Sequence, residues 1–206
     1  MSATPEKRRS GRPRSEASRE AALRAASELL DEQGYAGLSI EGIAARAGIG
    51  KRTIYRWWPT KGAVVMEAFL ADISPRITFP TTDCPIADIK SQLRSVVTAY
   101  RGKDGRTVRE IVALGRADMA TMEAFVSDYL EPRREAAKKA LIRIMDESVA
   151  EGADLDTIVD GLYGPIFFRL LVQHAPLDES FIERHVVIYL AGLRSEGLLN
   201  ASVSEA

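Results

Sequence analysis

One cysteine, Cys84, and two histidines are all the chain offers of the residues that make disulfides and most transition-metal sites. A lone cysteine closes no internal disulfide and anchors no cysteine-based zinc centre, so a reducing compartment fits and stability must come from packing. Long apolar runs are also missing. Residues 1–20 lack the apolar core of a signal peptide, and no later stretch approaches the about 20 uncharged residues of a membrane helix. The expected address is the cytoplasm, with no membrane partner. Strand-like alternation is absent at useful length, which leaves an all-α fold. Catalytic signatures are absent too: neither His174, His185 nor Cys84 sits in a nucleophile elbow, an HExxH or a phosphate-binding glycine loop. An enzyme is the weakest reading, and no cofactor is expected.

What is present is an uneven charge. The net charge of the whole chain is -1, yet residues 1–61 carry 12 Lys and Arg against 7 Asp and Glu, while the remainder is acidic. A basic front on an acidic body suggests a nucleic-acid head carried by a unit with another task. Residues 1–14, with Lys7, Arg8, Arg9, Arg12 and Arg14 among Pro5, Gly11 and Pro13, are expected to form a disordered arm. Such an arm is either a solubilising tail or one that follows DNA phosphates.

Behind it, Ala22, Ala25, Ala26, Leu29 and Leu30 recur at helical spacing up to a stop at Gly34. Ser39 then suits an N-cap, with Glu41 in the first turn and Ile40, Ile43, Ala44 and Ala47 as the buried stripe. Gly42 inside that helix costs roughly 1 kcal/mol, which packing must offset or a close neighbour must explain. Gly48 permits a left-handed turn, and Gly50 stands at the cap of a third helix without a capping side chain. On that helix Lys51, Arg52, Tyr55 and Arg56 share one arc, with Ile54 and Trp58 turned inward, until Pro59 ends it. Residues 38–57 therefore read as a helix-turn-helix within a DNA-binding domain over 15–75. Thr60 caps a fourth helix that starts near Lys61 and stops at Ser74-Pro75.

The rest, 76–206, reads as a larger helical domain. Pro85 opens a helix closed by Gly102 to Gly105, another runs to about Met119, and a long pattern over 121–150 contains Pro132, a kink or a boundary. Residues 155–174 and 178–195 are strongly apolar helices, and the tail beyond Gly197 is expected to fray.

The stretch LSIEGIAARAGIGKRTIYRWWPTK (38–61) resembles the TetR family of bacterial transcriptional repressors, the likeness covering Ala22 to about Phe69. The family's Gly-[Val/Ile]-Ser-x-x-Thr-[Leu/Ile]-Tyr-x-x-Phe-x-x-Lys pattern is met by Gly48, Ile49, Thr53, Ile54, Tyr55 and Lys61. Gly50 departs from its usual Ser or Thr, and Trp58 from its usual Phe. The resemblance implies that Lys51, Arg52 and Thr53 face base edges while Ser39, Tyr55, Trp57 and Lys61 position the backbone, with Arg56 on the same arc. Cations near the start of a recognition helix can reach guanine O6 and N7, and a helix N-terminus suits a phosphate. It also implies a homodimer through the helices near 155–174 and 178–195, a palindromic DNA operator, and a small-molecule effector that acts through helix 4. Expected pocket residues are Phe69, Leu93, Val97, Tyr100, Met119, Met122, Phe125 and Phe168. A non-specific architectural DNA protein is the alternative.

Overall fold

The computed structural model describes residues 12–114 and 118–200, with every described element helical. The chain divides at Phe69 and Leu70 into two compact units, a head and a body. That point lies inside α4 (Lys61–Ile73), ahead of the 75/76 boundary read from Ser74-Pro75.

In the head, α1 (Arg12–Gly37) packs on α2 (Ile40–Ala47), and both receive α3 (Lys51–Trp57). Residues 12–14 of the anticipated arm are thus helical, while residues 1–11, with Lys7, Arg8 and Arg9, lie outside the described residues. Gly34, with φ 71° and ψ 177°, breaks the helix where the stop was expected, and a short helical stretch follows to Gly37. The expected stripe is the core: Ala22, Ala26, Leu29, Ile43, Ile54 and Trp58 are all buried. Ser39 caps α2, its Oγ accepting from the Gly42 amide at 3.1 Å, and a methyl group on Gly42 would touch the Leu29 side chain. Gly48 adopts φ 65°, and this left-handed residue lets α3 turn sharply away from α2.

The body is built around α5 (Pro85–Tyr100), which packs against α6 (Lys103–Leu114), α8 (Glu131–Ile142) and α11 (Glu179–Ser195). α10 (Leu155–Val172) packs on α6, α8 and α11. Gly105 does not close α5, as the sequence suggested, but sits in the first turn of α6 against the Tyr100 carbonyl. A Cβ there would fall 1.9 Å from that oxygen, so only glycine fits this corner.

The long pattern over 121–150 is broken in three places. α7 (Met119–Ala124) leads into a π-helical segment, Phe125–Leu130, before α8, and α9 (Glu147–Gly152) follows a break at 143–146. Pro132 accounts for the widened turn, because in an α-helix its ring would strike the Asp128 carbonyl. Phe125 and Tyr129, four positions apart and so on one face, are fully buried and stacked with ring centres 5.0 Å apart.

Two anchors tie loops to this frame. Asp88, buried at the start of α5, accepts from the Thr82 amide at 2.9 Å, from the Thr82 hydroxyl at 2.7 Å and from Arg143 at 3.1 Å. At the other end of the chain, Leu199 is buried and the Asn200 amide donates to the Ile144 carbonyl at 2.9 Å. Residues 198–200 are therefore pinned, where fraying was expected.

Candidate functional site

α3 is short, and its two faces do different work. Ile54 is buried and its carbonyl accepts from the Trp58 amide that closes the helix, while the Trp58 indole N–H donates to Glu67 at 2.6 Å. Glu67 is itself paired with Arg19 of α1. The larger Trp in place of the family's Phe is thus held by a polar partner as well as by packing.

With that side fixed, the opposite arc faces outward. Arg52, Thr53, Tyr55 and Arg56 enclose a shallow surface depression, and Tyr55 is 51% exposed. Among the described residues Arg52 makes no hydrogen bond or ion pair. Lys51 pairs with Glu41 at 2.8 Å across the α2–α3 turn; the hydrogen bond from Lys51 holds the Glu41 carboxyl below its ordinary range. Trp57 lies beside Arg19 and Arg56, each guanidinium 5.7 Å from the ring centre. Ser39 is exposed at the start of α2. Gly50 caps α3 in extended conformation with no side-chain bond, leaving first-turn amides of α3 open to an outside acceptor.

Lys61 is placed differently from its neighbours. Its ammonium donates to the Tyr35 carbonyl at 2.9 Å and stands 4.2 Å from the centre of the Tyr35 ring, tying the start of α4 to the end of α1. The first turn of α4 is capped by Thr60, whose hydroxyl accepts from the Ala63 amide at 3.1 Å.

The body holds a cavity of about 370 Å³ bounded by α5, α6, α7, the π-helical segment, α8 and α10. That size falls within the about 300–1,000 Å³ of small-molecule sites. Of the eight expected residues, Tyr100, Met122 and Phe125 line it. Leu93 and Val97 are buried in the core without reaching it, Phe69 is buried in the head, and Met119 and Phe168 are exposed. The reading missed Val96, Val112, Tyr129, Leu130, Arg133, Arg134, Asp160, Tyr163, Gly164, Phe167 and Leu171. Phe167, edge-on to Tyr100 at 5.8 Å, does what was expected of Phe168, one step of about 100° away on the helix.

The tyrosines of the cavity stay neutral. Burial pushes the Tyr100, Tyr129 and Tyr163 hydroxyls above their ordinary value of 10.0. Tyr100 and Tyr129 share a hydrogen bond of 2.9 Å, and Tyr163 donates to the buried Gln92 at 3.0 Å. Among the described residues no group of three or more potential ligands could hold a metal ion, and no helix is long and apolar enough to cross a membrane.

Comparison with known proteins gives two family matches, "Bacterial regulatory proteins, tetR family" over residues 22–68 and "Tetracyclin repressor-like, C-terminal domain" over 79–188. The HTH-type transcriptional regulator YdeS of Bacillus subtilis is 32% identical over 186 residues, covering 90% of this chain and 94% of its own. TcmR of Streptomyces glaucescens, another HTH-type transcriptional regulator, is 31% identical over 67% of this chain and 62% of its own. Among solved structures, the TetR family transcription regulator SCO0332 superposes with a TM-score of 0.72 at 31% identity, covering 85% of this chain and 97% of that one. These relatives are regulators of transcription, not enzymes.

Proposed function

We propose, from the premise that this chain belongs to the TetR family of bacterial transcriptional regulators, that it is a repressor which binds a palindromic DNA operator as a homodimer and is released by a small molecule. The observation that carries the DNA-reading part is the outward arc of α3. A free Arg52, the exposed Tyr55 and Arg56 stand on a helix whose other side is fixed by Ile54 and Trp58. Arg52, with Lys51 and Thr53, is assigned to base edges, where a bidentate guanidinium on guanine is worth about 1–3 kcal/mol of discrimination. Ser39, Tyr55, Arg56 and Trp57 are assigned to the phosphate backbone. Lys61 joins them by giving up or sharing its Tyr35 bond.

One recognition helix of seven residues carries little sequence information alone, and two copies related by a two-fold axis read both halves of a palindrome. Exposed apolar side chains on α10 and α11 support such pairing: Phe168, Leu171, Val172, Val187 and Ile188, the last 70% exposed. Release is assigned to the cavity in the body. Tyr100, in its wall, is the last residue of α5, against which Gly105 of α6 is pressed. The first two residues of α6 grip the last turn of α4 and the turn that follows it. Lys103 pairs with Asp72 at 2.8 Å, and Arg76 forks onto Asp104 at 2.7 and 2.9 Å while also holding Asp72. A ligand that favours one arrangement of the α5–α6 corner would shift α4, and with it the population of DNA-competent dimers. Acting on the chromosome, the protein would work in the cytoplasm.

Operator selection from random duplexes with the full chain tests this reading. The expected outcome is one palindrome enriched over bulk DNA by several orders of magnitude, with Arg52→Ala relaxing the preference at a symmetric pair of positions. Equal retention of all sequences would instead favour an architectural DNA protein.

A further inference from the structure

The two guanidiniums of the cavity are not equivalent. Arg134 is engaged by acidic side chains: it pairs with Asp160 and, at 2.8 Å, with Asp156. Arg133 has no such answer. Its Nη1 donates to the Tyr129 carbonyl at 2.7 Å, and its guanidinium lies 3.9 Å from the centre of the Tyr129 ring. Its Nε is buried without a hydrogen-bond partner, and among the described residues no carboxylate pairs with it. A π-face offsets only part of what a cation loses on leaving water, and a buried donor left unmet is costly. With Nη1 taken and Nε shut off from any atom the size of a water oxygen, Nη2 is the nitrogen left to meet an oxygen of a carboxylate or sulfonate. The other titratable groups of the lining supply no countercharge, since Asp160 is held by Arg134 and burial keeps Tyr100, Tyr129 and Tyr163 neutral.

We propose that this cavity takes an apolar organic anion, its acidic head on Arg133 and its hydrocarbon or aromatic body among Phe125, Phe167 and Tyr100. This rests on reading the cavity as the effector site. A cationic ligand would set a second positive charge near Arg133 in a low-dielectric space, and a neutral one would leave the guanidinium without a countercharge. A carboxylate or sulfonate answers both.

The test uses two fluorescent probes of nearly one shape, anilinonaphthalene sulfonate and the uncharged phenylnaphthylamine, titrated into the full-length protein. The sulfonate should bind at least about tenfold more tightly. Arg133→Gln should erase that preference while uncharged-probe binding and the thermal transition persist, and Arg133→Lys should keep much of it. Equal binding of both probes to the unmodified protein would overturn the assignment. So would a preference that survives in Arg133→Gln, since the sulfonate would then sit elsewhere, as on the exposed apolar face of α10 and α11. Should Arg133→Gln not fold, the unmodified protein still decides: decanoate should displace phenylnaphthylamine at lower concentration than decanol, and the reverse order would sink the proposal. DNA release is scored separately on labelled operator. Arg133-dependent anion binding that leaves DNA bound would support the anion site while removing the effector-release reading.

Discussion

The head and the body carry their candidate sites in opposite ways. In the head the site is an open, charged helix face held from behind by a small core; in the body it is an enclosed, apolar space with one unanswered charge. An open face is exposed whatever its partner does, so its residues can be chosen for charge and reach, and the core behind them only has to hold α3 still. An enclosed site has to be left open by the packing around it, so its residues serve the fold and the ligand at once. The sharpest way to break this comparison is to remove the support of one site and watch the other. Trp58→Ala deletes the buried indole under α3 and its bond to Glu67. It should cost the head about 3–5 kcal/mol. Operator binding should vanish, while probe binding in the cavity and the main calorimetric transition of the body remain. A single shared transition that moves as a whole would mean that head and body are one cooperative unit.

A second contrast is acid sensitivity, and it favours the head. The lowered carboxyls there, Glu32 and Glu41, lie in exposed pairs with Arg46 and Lys51, where water screens the gain. Asp88 in the body is buried, which by itself would raise its pKa. The Thr82 bonds and Arg143 outweigh this and hold the carboxyl below its ordinary 3.8. A carboxyl lowered on folding contributes stability above its unfolded value, and that contribution drains away as pH falls through 3.8 towards the lower folded value. Asp88→Asn should therefore cost the body about 2–3 kcal/mol at neutral pH and flatten its loss of stability below pH 4. Unfolding curves of both proteins between neutral and acid pH would show this. Equal acid sensitivity in the two would detach the effect from Asp88.

The same contrast explains what could be read without coordinates. The cap at Ser39, the left-handed Gly48, the bare Gly50 and the inward Ile54 and Trp58 are set by neighbours within a few positions, and the structure has them as expected. Lys61 was legible as a cation at a helix start, but its bond to Tyr35 joins residues far apart in sequence, which no local pattern carries. In the body the helices were visible and their phases were not. Phe167 and Phe168 are chemically identical, and only the packing of α10 decides which meets the cavity and which stands exposed. Arg133 sits in the charged stretch EPRREAAKK, and it is half-buried over Tyr129, four positions back, because the packing of the body turns that face inward.

The smallest expected effect lies within the head and tests whether its charges are arranged for DNA or for one another. Lys51, assigned to a base edge, pairs with Glu41 at 2.8 Å in the free protein. An exposed pair of this kind adds little to stability. If Lys51 reads a base edge, the pair would oppose DNA binding, since Lys51 would have to leave Glu41 and the freed carboxylate would stand near a polyanion. Glu41→Gln removes that competition and keeps the size of the side chain, so operator affinity should rise a few-fold at low salt, the gain shrinking as salt screens the carboxylate. The melting temperature of the head should hardly move. A fall in affinity instead would show that Glu41 holds Lys51 in the orientation from which it reads, and the pair would then belong to the reading surface as a positioning device.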